Sequence, residues 1–299
     1  MPLFSSRISL VQLVTLTSDF GIADGYVAAM KGVLLSIAPQ ARLVDLSHHI
    51  PPQDVRRAAF LLSTVIPFFP PATVHLAVVD PGVGTGRRAI AVQTPQATFV
   101  GPDNGLFTYV LSEAREWAAV ELANPDYRLP HLSDTFHGRD LFAPAAAHLA
   151  LGAPLQTLGP PVVAPVELPV PRLEIAPDRL EGEVLHVDRF GNLITSLGRL
   201  RWEGKRLALS PAFRRDLPPL SLPAAEAQVE IAGRALLGIR RTYGEVGVGD
   251  LLALVGSHGF LELALRQGSA ADTLSVRPGE GVTVRAIMTP TAGGMAWKS

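Results

Sequence analysis

Apolar and polar positions follow two rhythms along this chain, and the rhythm changes near its middle. Residues 13–150 interleave short β-branched apolar runs with stretches of helical spacing. Leu13–Thr17, Arg42–Leu46 and Thr73–Val79 read as strands, with Ala89–Gln93 and Thr98–Val100 as shorter strands after them. The apolar run Ile8–Leu16 leads straight into Thr17-Ser18-Asp19 without a small-residue cleavage pattern, so it reads as a strand and not as a signal peptide. Val27, Met30, Leu34 and Ile37 fall three or four residues apart within Gly25–Ile37, which predicts a helix, and Pro39 lies just past its end. Asp54–Val65, Gly105–Glu113 and Asp140–Leu151 carry the same spacing. Strands alternating with helices predict an α/β domain with a mostly parallel sheet covered on both faces.

Six prolines between Pro160 and Pro177 interrupt this rhythm and predict an extended linker over 161–178, between domains at 1–160 and 179–299. Beyond it, Glu183–Asp188, Ala227–Ile231, Ala235–Arg240, Leu251–Val255, Leu261–Leu265 and Val282–Ile287 are short, β-like and separated by turn residues. That spacing predicts a small antiparallel sandwich or barrel. There is no internal repeat, and the ends, Met1–Ser6 and Thr289–Ser299, read as loose.

Composition narrows the function classes. The 299 residues are 47% hydrophobic and 18% charged, which suits large cores and not a disordered chain. A net charge of −1 argues against a general nucleic-acid binder. No apolar run reaches the length of about 18 residues that a transmembrane helix needs. The chain has no cysteine, which excludes disulfides, thiolate catalysis and cysteine-ligated metals. A cytoplasmic enzyme fits these bounds.

Chemistry concentrates where the third strand stops. Val79 is followed by Asp80-Pro81-Gly82-Val83-Gly84-Thr85-Gly86-Arg87-Arg88. Ligands in open α/β sheets bind beyond the carboxyl ends of strands, so Asp80 is delivered to a candidate site and the loop returns two arginines near it. The glycine spacing matches neither the dinucleotide fingerprint nor the P-loop. Asp19 and Asp45 also end strands and point toward the same edge. Asp45 reads as turn chemistry, Asp24 as a helix cap, and Asp19 stays open between site and turn. Among eight histidines no ligand-spaced pair such as His-Glu-x-x-His occurs, so no metal is expected. His137, in Thr135-Phe136-His137-Gly138-Arg139-Asp140, reads as a helix-start residue or as a catalytic one. Phe190-Gly191-Asn192 and Gly256-Ser257-His258-Gly259 read as hairpin turns. No Gly-x-Ser-x-Gly elbow is present.

Six segments occur together in a fixed order. They are Thr17-Ser18-Asp19-Phe20-Gly21 with Asp24-Gly25-Tyr26-Val27, Ile50-Pro51-Pro52-Gln53-Asp54-Val55, Val79 to Thr85, Gly101-Pro102-Asp103-Asn104-Gly105, Thr135 to Asp140, and Asp188-Arg189-Phe190-Gly191-Asn192. Over residues 13–288 the chain thereby resembles the S-adenosyl-L-methionine (SAM) hydrolases, or SAM hydroxide adenosyltransferases, of the superfamily that includes the fluorinase and chlorinase. The resemblance implies an N-terminal α/β domain and a C-terminal β-barrel in a homotrimer, with SAM held at the interface between subunits. It implies hydrolysis of SAM to adenosine and L-methionine, with no metal and no cofactor. The family's Asp-Arg-His triad falls on Asp80, Arg87 and His137, with Arg87 and not Arg88 as the partner of Asp80. Substrate contacts fall on Asp19 (ribose hydroxyls), Asp24 and Asp188 (methionine ammonium), Ser257 (its carboxylate), Phe190 (adenine stacking) and Asn192 (adenine edge).

Departures favour hydrolysis. The halogenases carry an uncharged side chain where Asp80 stands, and a carboxylate there repels halide. The fluorinase has a Trp at the Gln53 position and a long insertion where Gln93–Thr98 is short. At the methionine end, His258 replaces an arginine, and Arg266-Gln267-Gly268-Ser269 replaces an Asn-rich turn. A SAM- or adenosine-binding sensor with little turnover is the alternative from another class, and an adenosyl halogenase the alternative of the same fold.

Overall fold

The computed structural model describes residues 12–214 and 216–290. Contacts divide the chain into two compact units that meet in sequence at Leu168 and Pro169. Met1–Ser6 lies outside the described residues, as do the positions after Pro290.

The first unit is built on a six-stranded sheet. Strands β1 (Leu13–Ser18), β2 (Arg42–Ser47), β3 (Thr73–Val78), β5 (Ala97–Pro102) and β6 (Ala118–Glu121) run in one direction, while β4 (Ala89–Gln93), between β5 and β6, runs against them. The spatial order is β2-β1-β3-β5-β4-β6. The helices are α1 (Tyr26–Ile37), α2 (Val55–Val65), α3 (Thr108–Glu113) and α4 (Ala143–Ala150). Alternate residues of β3 feed two separate cores. Val74, Leu76 and Val78 pack with Met30, Leu34 and Phe142, whereas Ala77 and Val79 pack with Ala58, Leu62 and Phe99. Burial on both faces is why this strand reads as an unbroken apolar run. His75 shares the run, stacked on Phe99, and burial pushes its imidazole down to about 4, which keeps it neutral.

Several boundaries differ from the sequence expectation for local reasons. The helix expected over Gly105–Glu113 starts only at Thr108. Ahead of it Asn104 Oδ1 accepts Leu106 N–H at 3.3 Å and Thr108 Oγ1 donates to Gly105 O at 2.7 Å, a turn that competes with helix. Residues 138–151 form a π-turn, Gly138–Phe142, before α4. The Pro-rich stretch is tied down at its start. Val162 N–H donates to Ala119 O at 2.8 Å, Val166 N–H to Asp103 Oδ1 at 2.7 Å, and Leu168 N–H to Thr108 Oγ1 at 2.8 Å.

The second unit is a twelve-stranded, almost wholly antiparallel sheet that curls into a nearly closed barrel. Its strands are β7 (Leu173–Ala176), β8 (Arg179–Val187), β9 (Leu193–Glu203), β10 (Arg206–Ser210), β11 (Leu220–Pro223), β12 (Gln228–Ile231), β13 (Arg234–Leu237), β14 (Ile239–Arg240), β15 (Leu251–Val255), β16 (Phe260–Leu265), β17 (Gly281–Arg285) and β18 (Thr289–Pro290). A short helix, α5 (Ala270–Leu274), follows β16. Inward positions alternate along the strands, as in Leu207 and Leu209, Val229 and Ile231, and Val282 and Val284, and fill one core. The run Ala235–Arg240 splits into β13 and β14 at Gly238. Thr289 and Pro290, expected to be loose, pair with Ser221 and Leu220.

Candidate active site

Parallel strands deliver their carboxyl ends to one edge, and an antiparallel strand starts there. This topology explains the first cluster. The chain leaves β3, passes through 79–88 and enters β4 on the far side of β5, so both ends of the loop stay at that edge. Arg87 at the end of the loop meets Asp80 at its start. Its Nε donates to Asp80 Oδ1 at 3.0 Å and Oδ2 at 3.1 Å, and its Nη2 closes an ion pair on Oδ2. Both side chains are nearly buried, and the guanidinium stands 5.2 Å over the Phe142 ring. Arg88 turns away. Its Nε donates to Asp103 Oδ2 at 2.7 Å and its Nη2 to Ala164 O at 2.7 Å.

His137 completes the cluster from another loop. Arg87 Nη2 lies 2.8 Å from His137 Nδ1. A guanidinium can only donate, so Nδ1 is the acceptor and the ring proton of the neutral imidazole sits on Nε2. Burial, then the Arg87 charge, hold His137 below the ordinary histidine range, against the opposing pull of Asp80, Asp140 and Asp134. The two loops are in register because Gly84, at φ +75°, would place a Cβ 2.6 Å from Asp134 O. Only glycine permits both that conformation and that approach.

Asp140, a motif residue to which the resemblance assigns no role, anchors the His137 segment. It is fully buried. Oδ2 accepts Ser133 N–H at 2.8 Å, Arg139 Nε donates to Oδ1 at 2.5 Å, and the Asp140 carbonyl accepts Leu129 N–H at 2.8 Å. Burial acts to raise its carboxyl, but the bonds from Arg139 and Ser133 outweigh that and hold it below the usual carboxylate range. The π-turn that begins at Gly138 is a second mark, since such turns concentrate at functional positions.

The other edge carboxylates separate. Asp19 Oδ2 accepts Gln53 N–H at 2.8 Å, fastening the loop after β1 to a Gln53 with φ +67°. Asp24 is exposed, and α1 starts without a side-chain cap, so the capping role expected of Asp24 is absent. Asp45 lies inside β2 and pairs with Lys31 at 2.7 Å, in keeping with a structural part. Among the described residues no three His, Asp or Glu gather into a metal-binding group.

In the second unit, the turn between β8 and β9 is organised by Asp188. Its Oδ1 accepts Phe190 N–H at 2.8 Å and Asn192 N–H at 2.9 Å, and its Oδ2 accepts Asn192 Nδ2 at 2.9 Å. This leaves the Phe190 ring 75% exposed. Ser257 lies exposed on the β15–β16 turn, its Oγ 3.4 Å from His258 Nδ1. Two residues with no motif of their own join this cluster. Tyr243 hydrogen-bonds Glu262, and Asn192 Nδ2 reaches the Tyr243 hydroxyl at 3.4 Å. A lone Glu in the apolar run Phe260–Leu265 was the available signal.

Comparison with known proteins follows the same division. A family model described as the SAM hydroxide adenosyltransferase N-terminal domain matches residues 14–159, and its C-terminal counterpart matches 182–283. A Thermus thermophilus protein named (R)-S-adenosyl-L-methionine hydrolase is 46% identical over 278 residues, covering 90% of this chain and 97% of its own. A Nocardia brasiliensis fluorinase is 28% identical over 305 residues, covering 91% of this chain and 96% of its own. The crystal structure of a conserved protein from Thermotoga maritima superposes with a TM-score of 0.78 at 33% identity, covering 91% of this chain and 99% of that one.

Proposed function

This chain belongs to the SAM hydroxide adenosyltransferase family, and from that premise we propose that it hydrolyses SAM to adenosine and L-methionine at Asp80, Arg87 and His137. The observation that carries the reading is the single guanidinium that grips the Asp80 carboxylate and the His137 ring together. SAM is a sulfonium, so its methionine leaves as a neutral thioether. A water oxygen forms a bond to ribose C5′, the C5′–S bond breaks, and its electron pair neutralises sulfur. One water proton must leave. Asp80 takes it on Oδ1, which accepts only Arg87 Nε and keeps a second lone pair, whereas Oδ2 accepts both Nε and Nη2. The Nε2–H tautomer of His137 supports an orienting part, donating to the water, in place of the base. Alignment of one water behind C5′ supplies several kcal/mol of the barrier. Arg87 holds both partners in place and balances the charge that builds on the oxygen.

Higher identity to the hydrolase than to the fluorinase supports water over halide as nucleophile. A negative Asp80 beside the attacking atom favours the same choice. The remaining contacts follow the resemblance: Asp19 on the ribose hydroxyls, Phe190 and Asn192 on adenine, Asp24, Asp188 and Ser257 on the amino-acid end. We place the enzyme in the cytoplasm as a homotrimer whose subunits complete one another's sites.

The test is incubation of the purified protein with SAM in ¹⁸O-labelled water, with and without chloride and a chelator. The reading requires ¹⁸O in the adenosine 5′-oxygen in every arm. A 5′-halogenated product, or tightly bound SAM that is not consumed, contradicts it.

A further inference from the structure

Glu262 stands in the middle of β16 and is 8% exposed. Its carboxyl packs so closely on Gly256 that a Cβ there would overlap it. A carboxylate this deep is costly without a compensating cation. Opposite it lie Ile194 of β9 and Leu254 of β15, both apolar. Arg199 donates to His258 O and covers the Phe260 ring, Arg266 donates to Val246 O, and His258 and Asp272 are exposed. The groups that act on Glu262 are the Tyr243 hydroxyl and the Asp188 carboxylate.

These groups form one directed chain of hydrogen bonds. Asn192 Nδ2 donates to Asp188 Oδ2 at 2.9 Å and reaches the Tyr243 oxygen at 3.4 Å, and Tyr243 donates to Glu262. Two acids thus share an amide and a phenol with no cation between them. Burial, and then the Asp188 charge, push Glu262 up to about 7, with Tyr243 pulling the other way. Near neutrality the acid is poised between its two forms, and a positive charge arriving at Asp188 tips it.

We infer that Glu262 is a positioning residue for the ammonium end of the substrate: as a neutral acid it holds Tyr243 and Asn192 against Asp188, and it releases its proton to solvent when a cationic amino group binds there. This rests on the reading that Asp188 takes the SAM ammonium. Tyr243, itself 43% exposed, joins the buried Glu262 to the surface and is the route for the proton.

Calorimetric titration of SAM into the Asp80→Asn protein, in two buffers of different ionisation enthalpy between pH 6 and 8, counts that proton. The expected result is a net release of a fraction of a proton per site, greatest near neutrality. Affinity should rise up to about tenfold from pH 6 to 8, as the ionised fraction of a group titrating near 7 climbs from about a tenth to about nine-tenths. Glu262→Gln, an isostere of the neutral acid, should abolish both the release and the pH dependence. Tyr243→Phe should move the release to higher pH by removing the donated bond. An unchanged proton count in Glu262→Gln, or proton uptake in place of release, overturns the inference while leaving the hydrolase reading intact. Failure of SAM to bind any of these proteins overturns both.

Discussion

The two clusters solve opposite electrostatic problems. In the first unit the buried Asp80 meets Arg87, whose guanidinium satisfies it on two oxygens and then reaches His137. That cluster is neutral within itself and geometrically locked. In the second unit Asp188 and Glu262 are linked through Asn192 and Tyr243, and no cation joins them among the described residues. The first arrangement holds a charge still, as transition-state stabilisation requires. The second lacks one positive charge, which a sulfonium amino acid carries in its ammonium. The contrast teaches that preorganised chemistry and ligand capture leave different electrostatic signatures on one chain.

The largest expected effect breaks the first cluster at its acid. Asp80→Asn keeps the shape and removes the proton acceptor, so single-turnover hydrolysis should fall about 10²–10⁴-fold, the usual worth of a general base. SAM affinity measured by calorimetry should change only a few-fold.

Arginine substitution sharpens the same point. Arg87→Lys retains a charge but loses the fork that spans Asp80 and His137, and kcat should fall roughly 10²-fold. Arg88→Lys should leave kcat within about threefold, because Arg88 serves Asp103 and the Ala164 carbonyl. A thermal melt should show instead a loss of about 1 kcal/mol from the weakened anchor.

Asp140→Asn probes the support beneath His137. Asp140 pulls the imidazole upward against burial and Arg87, so removing its charge lets His137 fall further below the ordinary range. The acid limb of the kcat–pH profile should move to lower pH, with kcat at its plateau reduced about tenfold by the loosened loop. An acid limb that stays in place removes Asp140 from the account.

The smallest effect is on stability in the second cluster. A carboxyl raised in the folded protein stabilises fully below its unfolded value near 4.5 and loses that contribution as pH rises through about 7. Glu262→Gln, which cannot ionise, should therefore match the wild type in urea melts at pH 5 and exceed it by about 1–3 kcal/mol at pH 9. Equal stability at both pH values would show that the burial of Glu262 carries no electrostatic cost.

Much of this was legible in the sequence where the signal was local. The unbroken run into Asp80 announces a strand buried on both faces, and Pro81 through Gly86 announce the turn. The choice of Arg87 over Arg88 is not local. It depends on β5 lying between β3 and β4, so that a short loop must span a strand and only one of the two arginines faces back. The late start of α3 turns on the Asn104 and Thr108 side chains competing with the backbone, which helical spacing does not record. Strand β9 escaped because Gly198, Arg199 and Arg201 interrupt its apolar pattern. Glu262 and Tyr243 sit 19 residues apart in the chain with no motif between them, so only the fold brings them together.

The contrast between the clusters is tested most directly by one paired measurement. Single-turnover rates and dissociation constants for SAM are determined on Asp80→Asn and Asp188→Asn side by side. Asp80→Asn should bind SAM and convert almost none of it, whereas Asp188→Asn should bind at least tenfold more weakly and, once saturated, form adenosine near the wild-type rate. Full turnover by Asp80→Asn, or a chemical rate that collapses in Asp188→Asn at saturation, would contradict the assignment of chemistry to the first cluster and capture to the second.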